Sequence, residues 1–294
     1  MSRYLTEPPG TVSVRSGTVE GATKRGVPQP RPTTRAEHGP RSLAVAADRG
    51  NVATVRLYLL RLGTLGSPAG NDGHGRIMAG YLVETDDGER ILFDTGCPAS
   101  WGADRQATFE KQGITKFVVA RELGPEQMLP AQLVLCGTAP QELDLVVLTH
   151  SDMDHMGGLE FVPEDVPVYI SDAERALDVP APTGGGLEWP ERQLLLLPYE
   201  DQELRPGIQL LATPGHTPGH FSVLLELPGT GPVLLAVDAI KITDEVPDTG
   251  TDVPSAVENA ERLRALAAER GALLVHGHDG NQWAQLRCAP DYYA

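Results

Sequence analysis

The chain has few of the residues on which several common protein classes depend. Its 294 residues include only three cysteines, and their odd number and wide spacing argue against a disulfide framework or a cysteine-based zinc site. It has no run of the ~18 to 20 apolar residues that a membrane span needs. It also lacks the basic-then-apolar start of a secretory signal. We therefore expect a cytoplasmic protein without a membrane partner, and we expect Cys97 to be a small buried residue rather than a nucleophile.

Basic residues are also scarce, because 24 Lys and Arg face 40 Asp and Glu, which gives a net charge of −16. Nucleic-acid phosphates call for a basic surface, so we expect no nucleic-acid partner. Residues 1–50 depart from this balance, with eight basic against four acidic residues. Residues 1–51 are also rich in Gly, Pro, Thr, Arg and Ser and bury little. We predict a disordered basic tail over 1–51, solvated or alternatively touching an acidic surface, and one folded domain over 52–294.

The hydrophobic pattern of the folded part predicts an α/β protein with many strands and a few helices. Helices are expected near Glu126–Cys136, from Ser171, and from a capping box at Ser255 and Glu258 to Arg270. The segment Pro180–Pro190 is expected to be a loop. Strands are predicted at Val55–Leu60, Ile77–Glu84, Glu89–Phe93, Leu143–Leu148, Val166–Ile170, Ile208–Thr213, Phe221–Leu227, Val233–Val237 and Ala272–Val275.

The most informative segment is Leu148–Gly158, which reads LTHSDMDHMGG and follows the apolar run Leu143–Leu148. It places two imidazoles and two carboxylates within six residues. These are the nitrogen and oxygen ligands of divalent first-row metals. A hydrated acidic turn with incidental histidines is the alternative for this segment alone. The pattern predicts a metal site at the end of a strand.

Two further histidine clusters strengthen that prediction. The run Thr213–His220 reads TPGHTPGH, and Val275–Gly280 reads VHGHDG. Between them, Asp238 ends the apolar strand Leu234–Val237. Each cluster follows apolar residues, so several strand ends can meet at one edge of a sheet, where loops on a rigid scaffold carry function.

These motifs resemble those of the metallo-β-lactamase superfamily over roughly Val52–Trp283, and their spacing is similar to that of the quorum-quenching N-acyl homoserine lactonases. Ile91–Gly96, Pro214–His220 and Gly277–Asp279 are further lactonase-like features. The resemblance implies a four-layer αββα sandwich whose catalytic domain is 52–294. It also implies that two divalent metal ions bind to seven side chains: His150, Asp152, Asp154, His155, His216, Asp238 and His278.

The resemblance assigns these side chains to two ions. One ion would take His150, Asp152 and His216, and the other Asp154, His155 and His278. Asp238 would bridge them, with a hydroxide between the ions as nucleophile. Asp154 would also protonate the leaving alkoxide.

Asp152 departs from the family pattern, which more commonly has His at this position. With three carboxylate ligands, two dications and one hydroxide are neutral overall, whereas the usual site keeps one positive charge. A site richer in oxygen favours iron or manganese over zinc more than the usual site does. Zinc remains the first expectation, with Fe or Mn as alternatives. Because aspartate is shorter than His, it is open whether both metal subsites fill.

Other residues near the motifs have supporting or open roles. Lys241 stands where the known lactonases place a substrate-contacting Tyr, so it either stabilises an oxyanion or is an exposed lysine. Asp94, His220 and His276 are expected to support the ligands by hydrogen bonding or packing rather than to bind metal. His276 exchanging roles with His278 is the alternative.

The leading functional hypothesis is a metal-dependent hydrolase that opens a small-molecule lactone, with an acyl homoserine lactone first, or a related ester. A thioester or polyketide-type ester hydrolase of the same fold is the alternative within hydrolases. An iron-dependent redox enzyme similar to persulfide dioxygenases is a second class, and a non-catalytic binding protein is a third. The oligomeric state stays open, with a homodimer as one alternative.

Overall fold

The computed structural model describes residues 56–66, 73–103, 119–180, 188–247 and 249–294. The predicted tail over 1–51 lies outside these ranges, so its disorder and the domain boundary stay predictions. Most of the predicted loop Pro180–Pro190 is outside them too. Within the described ranges, no helix is both long and apolar enough to cross a membrane.

The described strands form two sheets. The first has seven strands in the order β4-β1-β2-β3-β5-β6-β7, and the second has five in the order β12-β11-β10-β9-β8. The strands are β1 (Arg56–Gly66), β2 (Arg76–Glu84), β3 (Arg90–Phe93), β4 (Val119–Glu122), β5 (Leu145–Val147), β6 (Val168–Ser171), β7 (Leu195–Leu197), β8 (Gln202–Arg205), β9 (Ile208–Ala212), β10 (Phe221–Leu227), β11 (Gly231–Val237) and β12 (Leu273–His276).

Pairing in both sheets changes from antiparallel to parallel. In the first sheet β4, β1, β2 and β3 pair antiparallel, and β3, β5, β6 and β7 pair parallel. In the second sheet β8 to β11 pair antiparallel, and β12 joins β11 in parallel. The nine predicted strands are all present, β10 with the predicted bounds and the others with shifted ends, whereas β4, β7 and β8 were not predicted.

The described helices are short except for one of 18 residues, Val253–Arg270. The capping-box prediction at Ser255 was wrong: the helix begins at Val253, and Asp252 is the N-cap whose carboxylate accepts a hydrogen bond from the Ser255 amide. Gly271, with a left-handed φ of 61°, ends the helix as predicted. The other helices are Ala99–Ala103, Leu129–Leu135, Met153–Met156, Asp172–Arg175 and Gly280–Trp283.

Side chains alternate between two faces along the strands, and this alternation produces four layers. On β11, Val233 and Leu235 join the core between the two sheets, whereas Leu234 faces the helix Val253–Arg270. The outer face of the first sheet packs in the same way against the helix Leu129–Leu135 and neighbouring turns. Because both faces of each sheet are covered, the strands read as continuous apolar runs. The observed fold is the predicted αββα sandwich.

Parallel strands carry the candidate functional residues to one edge of the sandwich. β3 ends before Asp94, β5 before Thr149 and His150, and β11 before Asp238. β12 ends at His276, two residues before His278, and the β9–β10 connection carries His216 and His220. The carboxyl ends of parallel strands are where open α/β sheets bind ligands.

Candidate metal centre

The structure brings all seven predicted ligands together. Within the described residues, three groups of His and Asp side chains each have ligand atoms within 4.8 Å of one another. The groups are His150, Asp152 and His216; His150, His155 and Asp238; and Asp154, His155 and His278. The first and third groups are the two ligand sets that the resemblance implied.

Asp152 lies at a helix N-cap, where an aspartate side chain usually accepts a hydrogen bond from a backbone amide of the helix. It is the N-cap of the helix Met153–Met156, yet its side chain makes no capping hydrogen bond. Its Oδ2 atom instead lies 3.1 Å from Nε2 of His216 and 3.9 Å from Nε2 of His150. The carboxylate of Asp152 therefore reaches the imidazoles of its group despite being shorter than a histidine side chain.

Hydrogen bonds at Nδ1 hold three imidazoles with Nε2 toward the cluster. His155 donates a hydrogen bond from Nδ1 to Asp94 Oδ2 at 2.8 Å, and His278 donates one from Nδ1 to the carbonyl of Ile77 at 2.7 Å. The Thr149 hydroxyl donates to Asp94 Oδ2, so it accepts from Nδ1 of His150 at 3.1 Å. Such anchoring fixes the tautomer in which Nε2 can bind a metal.

Two of these Nε2 atoms indicate that the site suits a metal ion. Those of His150 and His155 are buried and have no hydrogen-bond partner. A buried polar atom without a partner is rare in folded proteins and calls for an explanation. Imidazole nitrogens and carboxylates are the donors that divalent first-row metals take. The residues present therefore fit a dinuclear divalent metal site.

Asp238 lies between the two ligand sets. Its Oδ2 atom is 3.2 Å from Nε2 of His216, which belongs to the first set. Its Oδ1 atom is 3.0 Å from Nε2 of His278 and 3.3 Å from Nε2 of His155, both in the other set. One carboxylate thus contacts nitrogens of both sets.

The electrostatics of the cluster favour positive charge at His155 and His278, whereas burial lowers the pKa of His150 well below its ordinary value. Burial lowers the pKa of His155, but the carboxylates of Asp154, Asp238 and Asp94 outweigh it and raise the pKa well above its ordinary value. Burial also works to raise the pKa of Asp238, yet His278, His155 and His216 bring it well below the usual range. Either a proton or a divalent ion at Nε2 would balance the negative charge of these carboxylates.

The buried His220 orients Asp238 instead of joining the cluster. Its Nε2 accepts the backbone N–H of Asp238 at 3.1 Å, and its Nδ1 lies 2.8 Å from the Thr213 hydroxyl. Burial lowers the pKa of His220 to about 3, so the ring is neutral and can accept. Val237, just before Asp238, has a left-handed φ of 52°, a conformation that costs a β-branched residue about 1–3 kcal/mol. This strain and the His220 contact together set the backbone from which Asp238 projects.

The remaining candidates have contacts outside the three groups. His276 Nδ1 lies 3.0 Å from the Thr243 hydroxyl, which supports His278 rather than His276 as the cluster residue. Lys241 donates a hydrogen bond from Nζ to Thr249 Oγ1 at 3.0 Å, and its backbone carbonyl accepts one from the His278 amide. Cys97 is buried, as predicted, and burial raises the pKa of its thiol to about 12, which disfavours the nucleophilic thiolate.

Sequence analysis predicted supporting roles for Asp94 and His220 but missed the hydroxyls beside them. The Thr149 hydroxyl connects Asp94 to His150, and the Thr213 hydroxyl hydrogen-bonds to His220. Both threonines lie within the quoted motifs, close to a strand end, where threonine is common. Its identity alone gave no signal.

Comparisons with known proteins agree with this geometry. The chain matches the metallo-beta-lactamase superfamily over residues 79–278. It is 33% identical to an N-acyl homoserine lactonase from Bacillus sp. over 221 residues, which are 72% of this chain and 85% of that protein. A crystal structure of a B. thuringiensis AiiA variant with N-decanoyl-L-homoserine at its active site matches with a TM-score of 0.69 and 26% identity, covering 81% of this chain and 99% of that one.

A second solved structure adds the metal to the comparison. It is an N-acyl homoserine lactone hydrolase with the product N-hexanoyl-L-homoserine at its catalytic metal centre. The TM-score is 0.66 at 26% identity, covering 81% of this chain and 99% of that one. The chain therefore belongs to the metallo-β-lactamase superfamily, and within it to the N-acyl homoserine lactonase branch of metal-dependent ester hydrolases.

Proposed function

We propose that this protein hydrolyses the ester bond of a lactone, with N-acyl homoserine lactones as its first substrate class. The observation that carries the proposal is the convergence of two sets of His and Asp side chains, with Asp238 between them, at one edge of the sandwich. The similar lactonases add support, because two solved structures hold N-acyl homoserine products at the active site or metal centre.

We assign one divalent ion to His150, Asp152 and His216 and the other to Asp154, His155 and His278, with Asp238 contacting both. Zinc is the first choice. When bound, such a pair of ions would supply a hydroxide nucleophile at neutral pH and polarise the ester carbonyl. The protein fixes the geometry through Asp94, Ile77 and His220, so its own reorganisation during the reaction is small.

Asp154 is proposed as the acid that protonates the departing ring oxygen. Its side chain is 22% exposed, whereas the side chains of the other six candidate ligands are at most 13% exposed. It is therefore the candidate ligand that an arriving substrate could reach most easily. Its Oδ2 atom is nevertheless 3.7 Å from His278 Nε2 and 3.8 Å from His155 Nε2, close enough to share in holding an ion.

Lys241 is proposed to stabilise the oxyanion, so Lys241→Ala should reduce kcat/KM by about 10- to 1,000-fold, by analogy with the loss of one oxyanion donor. Lys241→Arg, which keeps the positive charge, should retain most of the activity. Steady-state kinetics with one lactone measures both. Equal activity of the wild type and the alanine variant would show that the Thr249 contact is all that Lys241 provides.

Asp152 provides a test of its proposed metal contact. Asp152→His should raise zinc affinity and move the pH–activity profile to lower pH, because the site gains one unit of positive charge and the pKa of bound water falls. Asp152→Asn is the matched control, since it gains the same charge but donates more weakly and should bind zinc less tightly. An unchanged profile with unchanged metal content in Asp152→His would mean that Asp152 is not a ligand.

The proposed function is tested by a substrate panel. Metal-free protein is loaded separately with Zn²⁺, Mn²⁺ and Fe²⁺ and offered lactones, thioesters and linear esters in a pH-indicator assay. The proposal expects lactone turnover to exceed the other two classes with at least one metal. Rapid thioester cleavage without lactone turnover would transfer the assignment to a thioester hydrolase.

A further inference from the structure

We propose that Glu174 is a positioning residue that joins two loops and thereby holds the ligand set His150, Asp152 and His216 together. The inference rests on the proposed metal site. Glu174 lies outside every motif that pointed to metal binding, and it belongs to the short helix Asp172–Arg175 that follows β6.

Glu174 is a fully buried carboxylate whose two oxygens serve different loops. Oε1 accepts hydrogen bonds from the backbone amide of Ser151 at 3.0 Å and from its hydroxyl at 2.6 Å. Oε2 accepts from the backbone amide of Gly219 at 3.0 Å. A buried carboxylate is costly unless it is well hydrogen-bonded, and these three donors meet that need.

A second link ties the same helix to the same glycine. The Ser171 hydroxyl donates a hydrogen bond to the carbonyl of Gly219 at 2.8 Å. As the N-cap of the helix, the same hydroxyl accepts a hydrogen bond from the Glu174 amide at 3.0 Å. A Cβ atom at Gly219 would lie 2.2 Å from both the Glu174 amide nitrogen and the Ser171 hydroxyl. Both backbone polar groups of Gly219 are therefore held by one helix start, at a distance that only glycine allows.

The two joined loops carry one complete ligand set. Ser151 stands between His150 and Asp152, and Gly219 lies three residues after His216. The Phe221 amide also donates to the Thr149 carbonyl at 2.9 Å, so loss of the Glu174 link should loosen the two loops rather than separate them, near the point where Asp152 Oδ2 lies 3.1 Å from His216 Nε2.

The other ligand set has anchors that do not involve Glu174. Asp94 holds the ring of His155, and the Thr95 amide donates to the His155 carbonyl at 2.7 Å. His278 is held by the carbonyl of Ile77. Loss of the Glu174 link should therefore weaken one ion of the pair much more than the other.

The charge of Glu174 matters as well as its length. In Glu174→Gln one side of the carboxylate becomes an NH2 donor, which would face either the Ser151 amide or the Gly219 amide. Donor would then oppose donor, and one buried amide would lose its partner. The variant keeps the size of the side chain but cannot accept from the Ser151 amide and the Gly219 amide together.

The test is a metal titration of the full chain. Metal-free wild type and Glu174→Gln are titrated with Zn²⁺ against a chelator and, separately, with Co²⁺ while its absorption spectrum is recorded. Wild type should bind two equivalents. Glu174→Gln should bind one of them about 10- to 100-fold more weakly, the usual effect of losing a hydrogen-bond partner behind a ligand, and keep the other within about threefold. Asp172→Asn, which removes an exposed carboxylate from the same helix, should match wild type.

The outcomes separate this inference from the proposed function. Two equivalents in wild type with both affinities unchanged, or both weakened alike, in Glu174→Gln would overturn the positioning role alone. Fewer than two equivalents in wild type would overturn the dinuclear site and this inference with it. If circular dichroism shows that Glu174→Gln does not fold, Ser171→Ala, which removes the hydroxyl link to Gly219, must show the same weakening of one equivalent; if both affinities match wild type, the inference fails.

Discussion

Asp154→Asn is expected to lower turnover of a lactone by about three orders of magnitude or more, because the change removes both a proposed ligand and the proposed acid. General-acid catalysis alone contributes about 10²- to 10⁴-fold. The amide cannot deliver a proton to the departing alkoxide, and it is a poorer metal donor than a carboxylate. The side chain is the same size, so the helix Met153–Met156 should keep its conformation.

The measurement is kcat and KM at saturating metal, with metal content determined on the same sample. Asp178→Asn, which changes an exposed carboxylate that belongs to none of the three clustered groups, is the control and should have wild-type kinetics. A loss in kcat that persists when metal content is restored would separate the acid role from the ligand role. Wild-type kcat in Asp154→Asn would end both assignments.

His155→Ala is expected to remove most of the bound metal from the purified protein. His155 belongs to two of the three clustered groups, one of which is the set proposed to hold an ion, and its Nε2 has no hydrogen-bond partner, so the substitution directly removes a ligand of that ion. The substitution also leaves Asp94 buried without the imidazole donor at 2.8 Å, so the wild-type orientation of Thr149 and His150 loses support.

Elemental analysis after purification measures this loss, and His276→Ala is the matched control. His276 is a neighbouring buried histidine whose Nδ1 contacts Thr243, and the structure places it in none of the three groups. The control should keep both equivalents of metal. The opposite pattern, with His276→Ala metal-free and His155→Ala fully loaded, would contradict the assigned ligand sets.

The sequence predicted the convergence of the candidate ligands better than it predicted the sheets around them. Clusters at His150–His155, His216 and His278 each follow an apolar strand, and parallel strands bring their carboxyl ends to one edge. Their convergence was therefore predictable from chain order and pattern. The fold followed from the resemblance, because strands buried on both faces show little of the alternation that distinguishes strand from helix.

Other features depend on contacts that a linear pattern does not contain. β7 and β8 are only three and four residues long, with partly exposed side chains, so their hydrophobic signal is weak. The helix Val253–Arg270 begins directly after Asp252 because that carboxylate caps it, although Ser255 offered a plausible capping box three residues later. Asp152 shows the same limit, since only the folded chain reveals that its carboxylate faces His216 rather than the helix it precedes.

The most direct test of the account is the product formed from one N-acyl homoserine lactone by purified protein, before and after removal of its metal. The account predicts that the metal-loaded protein breaks the ring ester bond to give the acyl homoserine, with one proton released per turnover at neutral pH. It predicts that the metal-free protein does not open the ring and that added divalent metal restores the reaction. Ring opening at an undiminished rate by folded, metal-free protein would contradict it.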